Sequence, residues 1–356
     1  MDRMNISKLR KEIDRLDEKL ITLLNQRTQL AVDIGKFKKD LNQSVYTPAR
    51  EQQIYLKLKK INKGPLSVSA LMDIYREIMS AAIMLQKPMK VAYLGPQATF
   101  THLGALKKFG SQIEYISADT ISDVFSEVER GRCDYGVVPV ENSLEGAVNH
   151  TLDMLVDSDL KIYSEILLNI SHNLLANCAI GEIKKVYSHP QVFGQCRLWL
   201  KNNLSKREFI EVSSTTKAAE MAAKQKNSAA IASNLAAQIY QIKILAQAIE
   251  DSPHNVTRFL VISKNTAEAS GGDKTSIVFS VKDKVGALQD ILLIFKSSDI
   301  NLTKIESRPS KRKVWDYYFF VDMQGHISNP QISKAISSLD KKCRFLKILG
   351  SYPQTV

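Results

Sequence analysis

An arginine interrupts an apolar helical stripe near the amino terminus, at a position where the spacing predicts a leucine. The steps of the stripe alternate between four and three residues, which is typical of a coiled-coil-like helix. Around Arg27 the stripe comprises Leu9, Ile13, Leu16, Leu20, Leu23, Leu30, Ile34 and Phe37. An unpaired guanidinium in a packed seam is costly. Arg27 therefore sets the register or reaches solvent, or it serves a buried anion.

Further cations accompany this arginine. Arg10 lies beside the stripe, Lys38 lies three turns further on nearly the same face, and Arg50 and Glu51 open the next helix. Residues 1–88 contain 17 lysines and arginines against 10 aspartates and glutamates. Positive charge directed into a helical interior favours a small buried polyanion, and carboxylates are the usual partners of arginine forks.

Three polar stretches in the middle of the chain adjoin apolar, strand-like runs. They are GPQATFTH at 95–102, VPVENSLEGAVNHT at 138–151 and EDSPHNVTRFLVI at 250–262. Ligands of α/β proteins bind beyond the carboxyl ends of parallel strands, so these stretches predict a cleft. Each stretch could instead be a turn in which polar residues such as Asn142 and Ser143 only cap helices.

Two other patterns in this region could indicate a bound group. His189 in YSHPQ lies near Cys196, but no second ligand has a suitable spacing, so a structural histidine is favoured over a metal ligand. The glycines of GPQATF do not form a GxGxxG fingerprint, so no dinucleotide is indicated.

The carboxyl-terminal region contains the turn DKVGALQD and the segment IESRPS. Gly286 permits a close backbone approach, and the amides at a helix N-terminus can receive a carboxylate. The alternative is a tight turn together with a surface salt bridge between Glu306 and Arg308.

Three segments that differ in their pattern of apolar residues must position these side chains. Residues 1–88 have a helical period, with a first helix of about 30 residues and further helices at 48–62 and 67–86. Residues 90–266 alternate strands with helices, which predicts a two-lobed α/β domain with a largely parallel sheet. Residues 274–356 read βαββαβ, the ferredoxin-like α+β arrangement.

The middle segment is predicted in more detail. Its predicted strands are 91–94, 113–116, 135–138, 186–187, 229–232 and 258–262, and its predicted helices are 100–109, 120–130, 147–156, 191–203, 215–226 and 233–240.

Composition limits the function classes. The net charge is +12, but the lysines are scattered among acids, which disfavours nucleic-acid binding. The four cysteines are widely spaced, which favours a reducing compartment. No signal peptide or membrane-length apolar run is evident in the sequence, so we expect a soluble cytoplasmic protein. Two shorter helices cannot cover a first helix of about 45 Å, so the chain is expected to self-associate.

The amino-terminal segment resembles the all-helical chorismate mutases through LRKEIDRLDEKLITLLNQRTQLAVDIGKFK, AREQQI and IYREIMSAAIMLQ. The resemblance implies an interlocked dimer. It assigns Arg27, and Arg10 from the partner subunit, to the substrate carboxylates, with Lys38 and Gln86 at the ether oxygen. Glu51 takes the ring hydroxyl and Arg50 supports the pocket. Thr47 replaces a charged residue and Ala82 a serine of the family pattern, and we expect fewer polar contacts there with activity retained.

The middle segment resembles prephenate dehydratases through VAYLGPQATFTHLGA, DYGVVPVENSLEGAV, YSHPQVFGQCRLWL and NVTRFLVI. The triplet Thr257-Arg258-Phe259 is the hallmark of that family. By this resemblance Thr257 acts on the departing hydroxyl, relaying a proton from water or Glu141, and Arg258 holds the site through anionic groups. The cleft is lined by Thr99, Glu141, Asn142 and Ser143, and Ala98 stands where the family has glycine.

The last segment resembles an ACT domain, with GAL and ESRP as amino-acid-binding signatures. The resemblance implies that L-phenylalanine binds between paired ACT domains, at Gly286, Ala287, Leu288, Glu306, Ser307, Arg308 and Pro309, and inhibits the dehydratase.

Together the resemblances imply a bifunctional enzyme of phenylalanine biosynthesis, forming a homodimer or homotetramer, that needs neither a metal nor an organic cofactor. Its substrates are chorismate and prephenate, and no nucleic acid or membrane is involved. Two alternatives remain at this point: a dehydratase that acts on arogenate, and a non-catalytic amino-acid sensor.

Overall fold

The computed structural model describes residues 3–41, 43–282, 284–310 and 316–355. Its contacts divide the chain into two units. The first comprises Met1–Thr47, Ile54–Met89 and Phe109–Glu114, and the second comprises Pro48–Gln53, Lys90–Lys108 and Tyr115–Val356.

Three helices form the amino-terminal region: α1 (Arg3–Asp40), α2 (Pro48–Ile61) and α3 (Val68–Gln86). Helix α1 is longer than predicted, and α2 begins at Pro48, whose fixed φ suits a first turn. The Ser67 hydroxyl accepts from the N–H of Ala70 and so caps α3. The stripe of α1 is exposed, with Leu9 at 54% and Phe37 at 70%. This single chain therefore leaves the seam uncovered.

The first lobe of the second unit is built on a mixed sheet in the order β2-β1-β3-β11-β5, with β4 beside β3. Its strands are β1 (Lys90–Leu94), β2 (Glu114–Ala118), β3 (Tyr135–Asn142), β4 (Gly146–Ala147), β5 (Lys161–Asn169) and β11 (Val256–Ser263). Its helices are α4 (Phe100–Phe109), α5 (Ile121–Glu129) and α6 (Asn149–Asp157).

The second lobe has a five-stranded sheet in the order β10-β6-β9-β7-β8. Its strands are β6 (Asn173–Ala176), β7 (Lys185–Ser188), β8 (Glu208–Glu211), β9 (Ser228–Ala232) and β10 (Ile244–Ala246). Its helices are α7 (Pro190–Gln195), α8 (Arg197–Leu204), α9 (Thr215–Lys224) and α10 (Asn234–Ile239).

The prediction of a largely parallel sheet is wrong in one respect. Strand β11 runs antiparallel to both β3 and β5, because the chain leaves the first lobe after β5, builds the second lobe, and returns from the opposite direction. In the second sheet β6 is likewise antiparallel to β9 and β10. Strands β4, β5, β6, β8 and β10 were not predicted, and α7 and α8 were predicted as one helix.

The carboxyl-terminal region has the predicted βαββαβ order, with a four-stranded antiparallel sheet arranged β13-β14-β12-β15. Its elements are β12 (Asp273–Val281), α11 (Ala287–Ser297), β13 (Leu302–Pro309), β14 (Tyr317–Gln324), α12 (Pro330–Asp340) and β15 (Cys343–Pro353). Strand β15 crosses β5 closely: a Cβ on Gly350 would lie 2.9 Å from the backbone nitrogen of Ile162. Within the described part of the chain, no helix combines the length and apolar character needed to cross a bilayer.

Candidate functional site

Lys38 is held by oxygen acceptors just beyond the end of α1. Its ammonium group donates to the carbonyls of Ser44 (3.0 Å) and Val45 (3.1 Å) and to the hydroxyl of Thr47 (2.9 Å). Thr47, where the resemblance led us to expect a charged side chain, therefore fixes the position of Lys38. These contacts use all three N–H donors of the ammonium group, so Lys38 has to give up one of them before it can donate to a ligand oxygen.

The two predicted arginines of α1 differ in their surroundings. Arg27 is half-buried, and its guanidinium carbon lies 5.9 Å from the ring centre of Tyr75 on α3, a distance at which a cation is attracted to an aromatic face. Arg10 is exposed in this single chain. Their assignment to ligand carboxylates stays a prediction.

The two predicted residues at the start of α2 already have partners. Exposed Arg50 donates to the Gln53 side chain (3.3 Å). Glu51 is buried, and its carboxylate lies 2.7 Å from the ammonium group of Lys108 on α4. To contact a ring hydroxyl, the Glu51 carboxylate would have to use a lone pair that this ion pair leaves available.

Gln86 lies against a glycine of α1. A Cβ built on Gly35 would lie 2.6 Å from Cγ and 2.9 Å from Oε1 of Gln86, so only glycine leaves room for this side chain. Gly35 and Lys38 are three residues apart and share a helix face, which places Gln86 on the side of α1 that carries Lys38. The Gln86 amide donates to the carbonyl of buried Ala82 (3.1 Å).

A cavity of about 480 Å³ lies in the second unit and is lined from both of its lobes. Four predicted residues line it: Thr99, Asn142, Thr257 and Phe259. Phe259 is almost fully buried and packs beside Gly104. The structure thus gathers three distant stretches of sequence at one cleft.

The hydrogen bond between Asn142 and Thr257 has a fixed direction. The Asn142 Oδ1 accepts from the backbone N–H of Leu144 (2.9 Å) and Glu145 (3.1 Å), and backbone amides can only donate. The Asn142 Nδ2 therefore donates, to Thr257 Oγ1 (2.8 Å) and to Asn255 Oδ1 (2.8 Å). Because Thr257 accepts here, and no acceptor for its hydroxyl hydrogen is found in the described part of the chain, that hydrogen is available to a ligand.

The chain of hydrogen bonds continues into the second lobe. Asn255 Nδ2 donates to Gln195 Oε1 (3.1 Å), which also meets His172 Nε2 (2.8 Å), and Gln195 Nε2 donates to Glu145 (3.2 Å). Since Gln195 Oε1 can only accept, His172 carries its proton on Nε2. Burial lowers the pKa of His172, although Gln195 and Glu250 partly oppose this effect. The imidazole is therefore neutral at pH 7.

In the loop before α4, Ala98 adopts a backbone conformation that is typical of glycine. Ala98 is fully buried with φ of +70°, in the left-handed region that favours glycine. Its N–H donates to His102 Nδ1 (3.2 Å), whose ring stacks on Tyr93. Although Ala98 replaces the glycine of the family pattern, the backbone at this position keeps the left-handed conformation, and the hydrogen bond to His102 holds it there.

Three other predicted residues do not line the cavity, which corrects the expectation for Glu141 and Ser143. The Ser143 hydroxyl donates to the carbonyl of His254 (2.8 Å) and accepts from Val256 (2.9 Å), so it fastens the loop to β11. Glu141 and Arg258 are paired across β3 and β11. Because side chains alternate along a strand, Arg258 points away from the face that carries Thr257 and Phe259.

Arg258 is the centre of a buried ion cluster that joins the first lobe to the carboxyl-terminal sheet. Its guanidinium donates to Glu141 (2.9 Å), Glu165 (2.8 Å), Asp322 (2.6 Å) and the Tyr352 hydroxyl (2.9 Å). Burial alone would lower the pKa of Arg258, and its anionic neighbours outweigh burial and raise it. The sequence predicted that Arg258 acts through anionic groups. Arg258 does contact three carboxylates, but these contacts lie outside the cleft.

Two lysines complete this cluster. Lys274 lies 3.0 Å from Glu165, and Lys304 of β13 pairs with Glu141. Burial opposes ionisation of Glu141, but the hydrogen bonds from Arg258 and Lys304 outweigh it, so the pKa of Glu141 is lowered from its ordinary 4.5.

This shift predicts a pH-dependent stability. Glu141 binds a proton less readily when folded than when unfolded, so its contribution is present above pH 4.5 and is lost as the pH falls through the lower, folded value. Glu141→Gln is expected to lower the Tm at pH 7, and the difference from the wild type should narrow below pH 4.5. Thermal melts of both proteins between pH 7 and values below pH 4.5 test this prediction, and the variant of an exposed glutamate, Glu268→Gln, is the control. If the difference in Tm between the wild type and Glu141→Gln grows as the pH falls, the lowered pKa of Glu141 is contradicted.

The residues of the predicted amino-acid site lie on two elements of the carboxyl-terminal region. Gly286 precedes α11 with φ of +78°, and Ala287 and Leu288 form its first turn. Glu306, Ser307 and Pro309 lie on β13, an edge strand. Arg308 is buried, pairs with Asp153 and donates to the Asn149 carbonyl at the start of α6. The surface salt bridge to Glu306 considered from the sequence is therefore not the arrangement seen.

Several cavity residues were not predicted. Gln195, Asn255, His172 and the segment Ser213–Thr215 all line it. His189, judged structural from the sequence, also lines it, while its Nδ1 accepts from Gln191 at the start of α7 (3.4 Å). The motif YSHPQVFGQC was a signal for this region, although Gln195 was not singled out. No grouping of three or more metal-ligand side chains occurs within the described ranges.

Comparisons with known proteins assign all three regions. The family model for chorismate mutase type II matches residues 9–87, that for prephenate dehydratase matches residues 91–267, and that for the ACT domain matches residues 275–341. A solved prephenate dehydratase from Arthrobacter aurescens in complex with L-Phe is 33% identical, covers 75% of this chain and 90% of its own, and superposes with a TM-score of 0.69.

Curated relatives match along the whole chain. A bifunctional chorismate mutase/prephenate dehydratase of Aquifex aeolicus is 51% identical over 99% of this chain and 98% of the relative. A protein of the same name from Pseudomonas aeruginosa is 42% identical over 100% of this chain and 99% of the relative. With the three family models in the same order and this level of identity from end to end, the chain belongs to the family of bifunctional chorismate mutase/prephenate dehydratases.

Proposed function

We propose that this chain rearranges chorismate to prephenate with its amino-terminal helices and converts prephenate to phenylpyruvate in the cleft of its second unit. The first reaction is unimolecular and needs neither a nucleophile nor a proton. The protein holds the reactive conformer and places donors where the ether oxygen gains negative charge. Gln86, packed on Gly35, and Lys38, once it exchanges one of its three protein acceptors for the ether oxygen, are the groups suited to that task.

In the second reaction the ring carboxylate leaves as CO2, its electron pair enters the ring, and the ring hydroxyl leaves as hydroxide, which takes up a proton to become water. Hydroxide is a poor leaving group, so the cleft must provide a donor to that oxygen. Thr257 is that donor. Glu141, which the sequence analysis considered as a proton relay, faces the opposite side of the sheet, so the proton comes from water.

The observation that carries this proposal is the direction of the Asn142–Thr257 hydrogen bond. Asn142 occupies a lone pair of Thr257 Oγ1, and so turns the hydroxyl hydrogen away from itself. The backbone amides of Leu144 and Glu145 enforce that direction. A hydroxyl prepared in this way can donate to a departing oxygen without first reorganising.

The test is a two-substrate assay. Phenylpyruvate formation is measured separately from chorismate and from prephenate, with and without L-phenylalanine. Arogenate is supplied in a separate reaction in which L-phenylalanine is the product measured. Formation from both chorismate and prephenate supports the proposal. Turnover of arogenate alone, or of none of the three, contradicts it.

The contact between Gly35 and Gln86 gives a prediction for the first reaction. Gly35→Ala is expected to lower chorismate turnover about a hundredfold, because the new methyl group displaces Gln86 and a shift of about 1 Å has that effect. Alanine favours a helix over glycine by about 1 kcal/mol, so a loss would not reflect poor helix formation.

The matched control for this prediction is Gly64→Ala, whose Cβ would meet only Asn62 Oδ1, at 3.9 Å. Prephenate turnover should be unaffected in both variants. Unchanged chorismate turnover in Gly35→Ala would show that Gln86 does not contribute to the rearrangement of chorismate.

Feedback inhibition by L-phenylalanine is part of the proposal and rests on the residues around Gly286 and on β13. Two contacts of β13 support a route to the cleft. Arg308 binds the first residue of α6, which follows the loop that lines the cavity, and Lys304 binds Glu141, the neighbour of Asn142. A ligand that shifts β13 would therefore act on both sides of that loop.

We also include self-association and a cytoplasmic location in the proposal. The exposed stripe of α1 supports an even-numbered oligomer in which two copies cover each other's seam and Arg10 reaches a partner's pocket. The domain bounds 1–88, 90–266 and 274–356 remain those predicted from the sequence. Sedimentation equilibrium of the full chain tests the oligomer, and a monomer would contradict it.

A further inference from the structure

Four of the hydrogen bonds beside the cleft close into a ring. The backbone N–H of Glu145 donates to Asn142 Oδ1 (3.1 Å), and Asn142 Nδ2 donates to Asn255 Oδ1 (2.8 Å). Asn255 Nδ2 donates to Gln195 Oε1 (3.1 Å), and Gln195 Nε2 donates to the carboxylate of Glu145 (3.2 Å). Because Gln195 ends α7 of the second lobe, while Asn142 ends β3 of the first, the ring joins the two lobes.

The direction of every hydrogen bond in the ring is fixed. A backbone amide can only donate and a carboxylate can only accept, and Glu145 supplies both groups. The three side-chain amides between them must therefore all point the same way round the ring. Turning the Asn255 amide over would place its NH2 group against that of Asn142 and its oxygen against that of Gln195. Hydrogen bonds aligned in this way polarise and strengthen one another.

Within the ring, Asn255 controls the orientation of the Asn142 amide. The NH2 group of Asn142 has two hydrogens, of which one goes to Asn255 and the other to Thr257 Oγ1. Since Asn142 Oδ1 is held by backbone amides and one N–H is held by Asn255, the amide plane cannot turn away from Thr257. Asn255 is itself well fixed, because it is 2% exposed and its backbone carbonyl accepts from the N–H of Ile170 (2.8 Å).

We propose that Asn255 is a positioning residue for the dehydration of prephenate and acts through Asn142, which it holds in the orientation that prepares the Thr257 hydroxyl to donate. This inference rests on the function proposed above, in which Thr257 donates to the departing oxygen. A donor that is already oriented stabilises the transition state without reorganising as charge develops. Loss of Asn255 therefore affects the transition state more than the binding of prephenate.

Asn255→Leu tests the proposal, since leucine has a similar size and shape and removes both hydrogen bonds of the side chain. We expect the kcat for prephenate to fall tenfold to about a hundredfold, the effect of a misplacement of about 1 Å. The KM for prephenate should stay within about threefold of the wild type, because the interaction that is lost strengthens only in the transition state. Chorismate turnover should be unchanged.

The matched control is Asn173→Leu. Asn173 is likewise 2% exposed, and its side chain also donates once and accepts once, to the Ala232 carbonyl (3.3 Å) and from the Ala248 N–H (3.2 Å). Both variants lose a buried pair of hydrogen bonds, so both should lower the Tm. Prephenate turnover should stay within about threefold of the wild type in Asn173→Leu, which leaves the ring intact.

A double variant shows whether Asn255 acts through Thr257. In the Thr257→Val background, Asn255→Leu should lower the residual prephenate turnover by less than about threefold, because the hydroxyl that Asn255 serves is already gone. A general disturbance of the cleft would instead lower turnover equally in both backgrounds. If circular dichroism shows that Asn255→Leu is unfolded, the smaller Asn255→Ala is measured in its place, with the same expected results.

Two results would overturn the role of Asn255: a kcat within threefold of the wild type in the Asn255 variant, or an equal fold loss in the wild-type and Thr257→Val backgrounds. If the wild type turns over prephenate and either result is found, only this role fails. A wild type that does not turn over prephenate overturns the proposed function as well.

Discussion

Thr257→Val is expected to lower prephenate turnover by a hundredfold to about ten-thousandfold, the range typical of a positioned proton-transfer group. Valine keeps the shape and the branched Cβ that suits strand β11, so the change removes the hydroxyl and little else. The loss should fall on kcat, because the hydrogen bond to the departing oxygen strengthens as that oxygen gains charge. Phenylpyruvate formation from added prephenate measures it.

Two comparisons make this experiment specific. Thr257→Ser retains the hydroxyl and should retain turnover within about tenfold of the wild type. Chorismate turnover should be unchanged in both variants, so Thr257→Val supplied with chorismate should accumulate prephenate. Equal loss of both activities would indicate misfolding, and unchanged prephenate turnover in Thr257→Val would remove Thr257 from the mechanism.

The size of the expected effect follows from the surroundings of this hydroxyl. Asn142 donates to Thr257 and also to Asn255, and its own oxygen is held by two backbone amides. In Thr257→Val the Asn142 amide loses one of its two acceptors, which adds a desolvation cost to the missing catalytic donor. Asn142→Asp should therefore be damaging too, since a carboxylate cannot donate to Thr257.

The fold and much of this cleft could be predicted from local signals. Strands such as 135–138 are short apolar runs, α5 begins with the Thr120–Asp123 capping box, and polar stretches at strand ends mark a site in α/β proteins. The separation of Thr257 from Arg258 could also have been predicted. Adjacent residues of a strand point to opposite faces, so the triplet had to divide between the cleft and the other side.

The remaining parts depend on contacts between residues far apart in sequence. Gln195 reaches Asn255 only because the chain returns to the first lobe as β11, and that return also made the sheet mixed. Lys304 and Glu141 are 163 residues apart, and no local pattern indicates that they pair. The role of Thr47 as a partner of Lys38 likewise required the loop after α1 to be seen folded.

Arg258→Met is expected to destabilise the second unit by about 3–5 kcal/mol, which corresponds to a Tm lower by about 10 °C. Methionine fills a similar volume but leaves buried carboxylates without their shared cation. Glu165 and Glu141 still have Lys274 and Lys304. Among the described residues, Asp322, which is 7% exposed, then keeps only neutral hydrogen-bond partners such as the Ser276 hydroxyl. Thermal or denaturant unfolding measures the effect.

Arg132→Met is a matched control. Arg132 also pairs with a carboxylate, that of Glu127, but its side chain is about half exposed, and exposed ion pairs contribute little to stability. Its Tm should stay close to that of the wild type. A similar loss in both variants would show that the cluster around Arg258 is no more important than a surface pair.

The double variant Arg258→Met/Asp322→Asn separates a structural role of Arg258 from a catalytic one. Asparagine removes the uncompensated charge yet still accepts from Ser276, so the double variant should be more stable than Arg258→Met alone, by about 1–3 kcal/mol of coupling. If Arg258 acts on the cleft only by holding β11 in place, prephenate turnover should recover together with the Tm. Recovery of the Tm without recovery of turnover would show instead that the guanidinium itself is needed for the reaction.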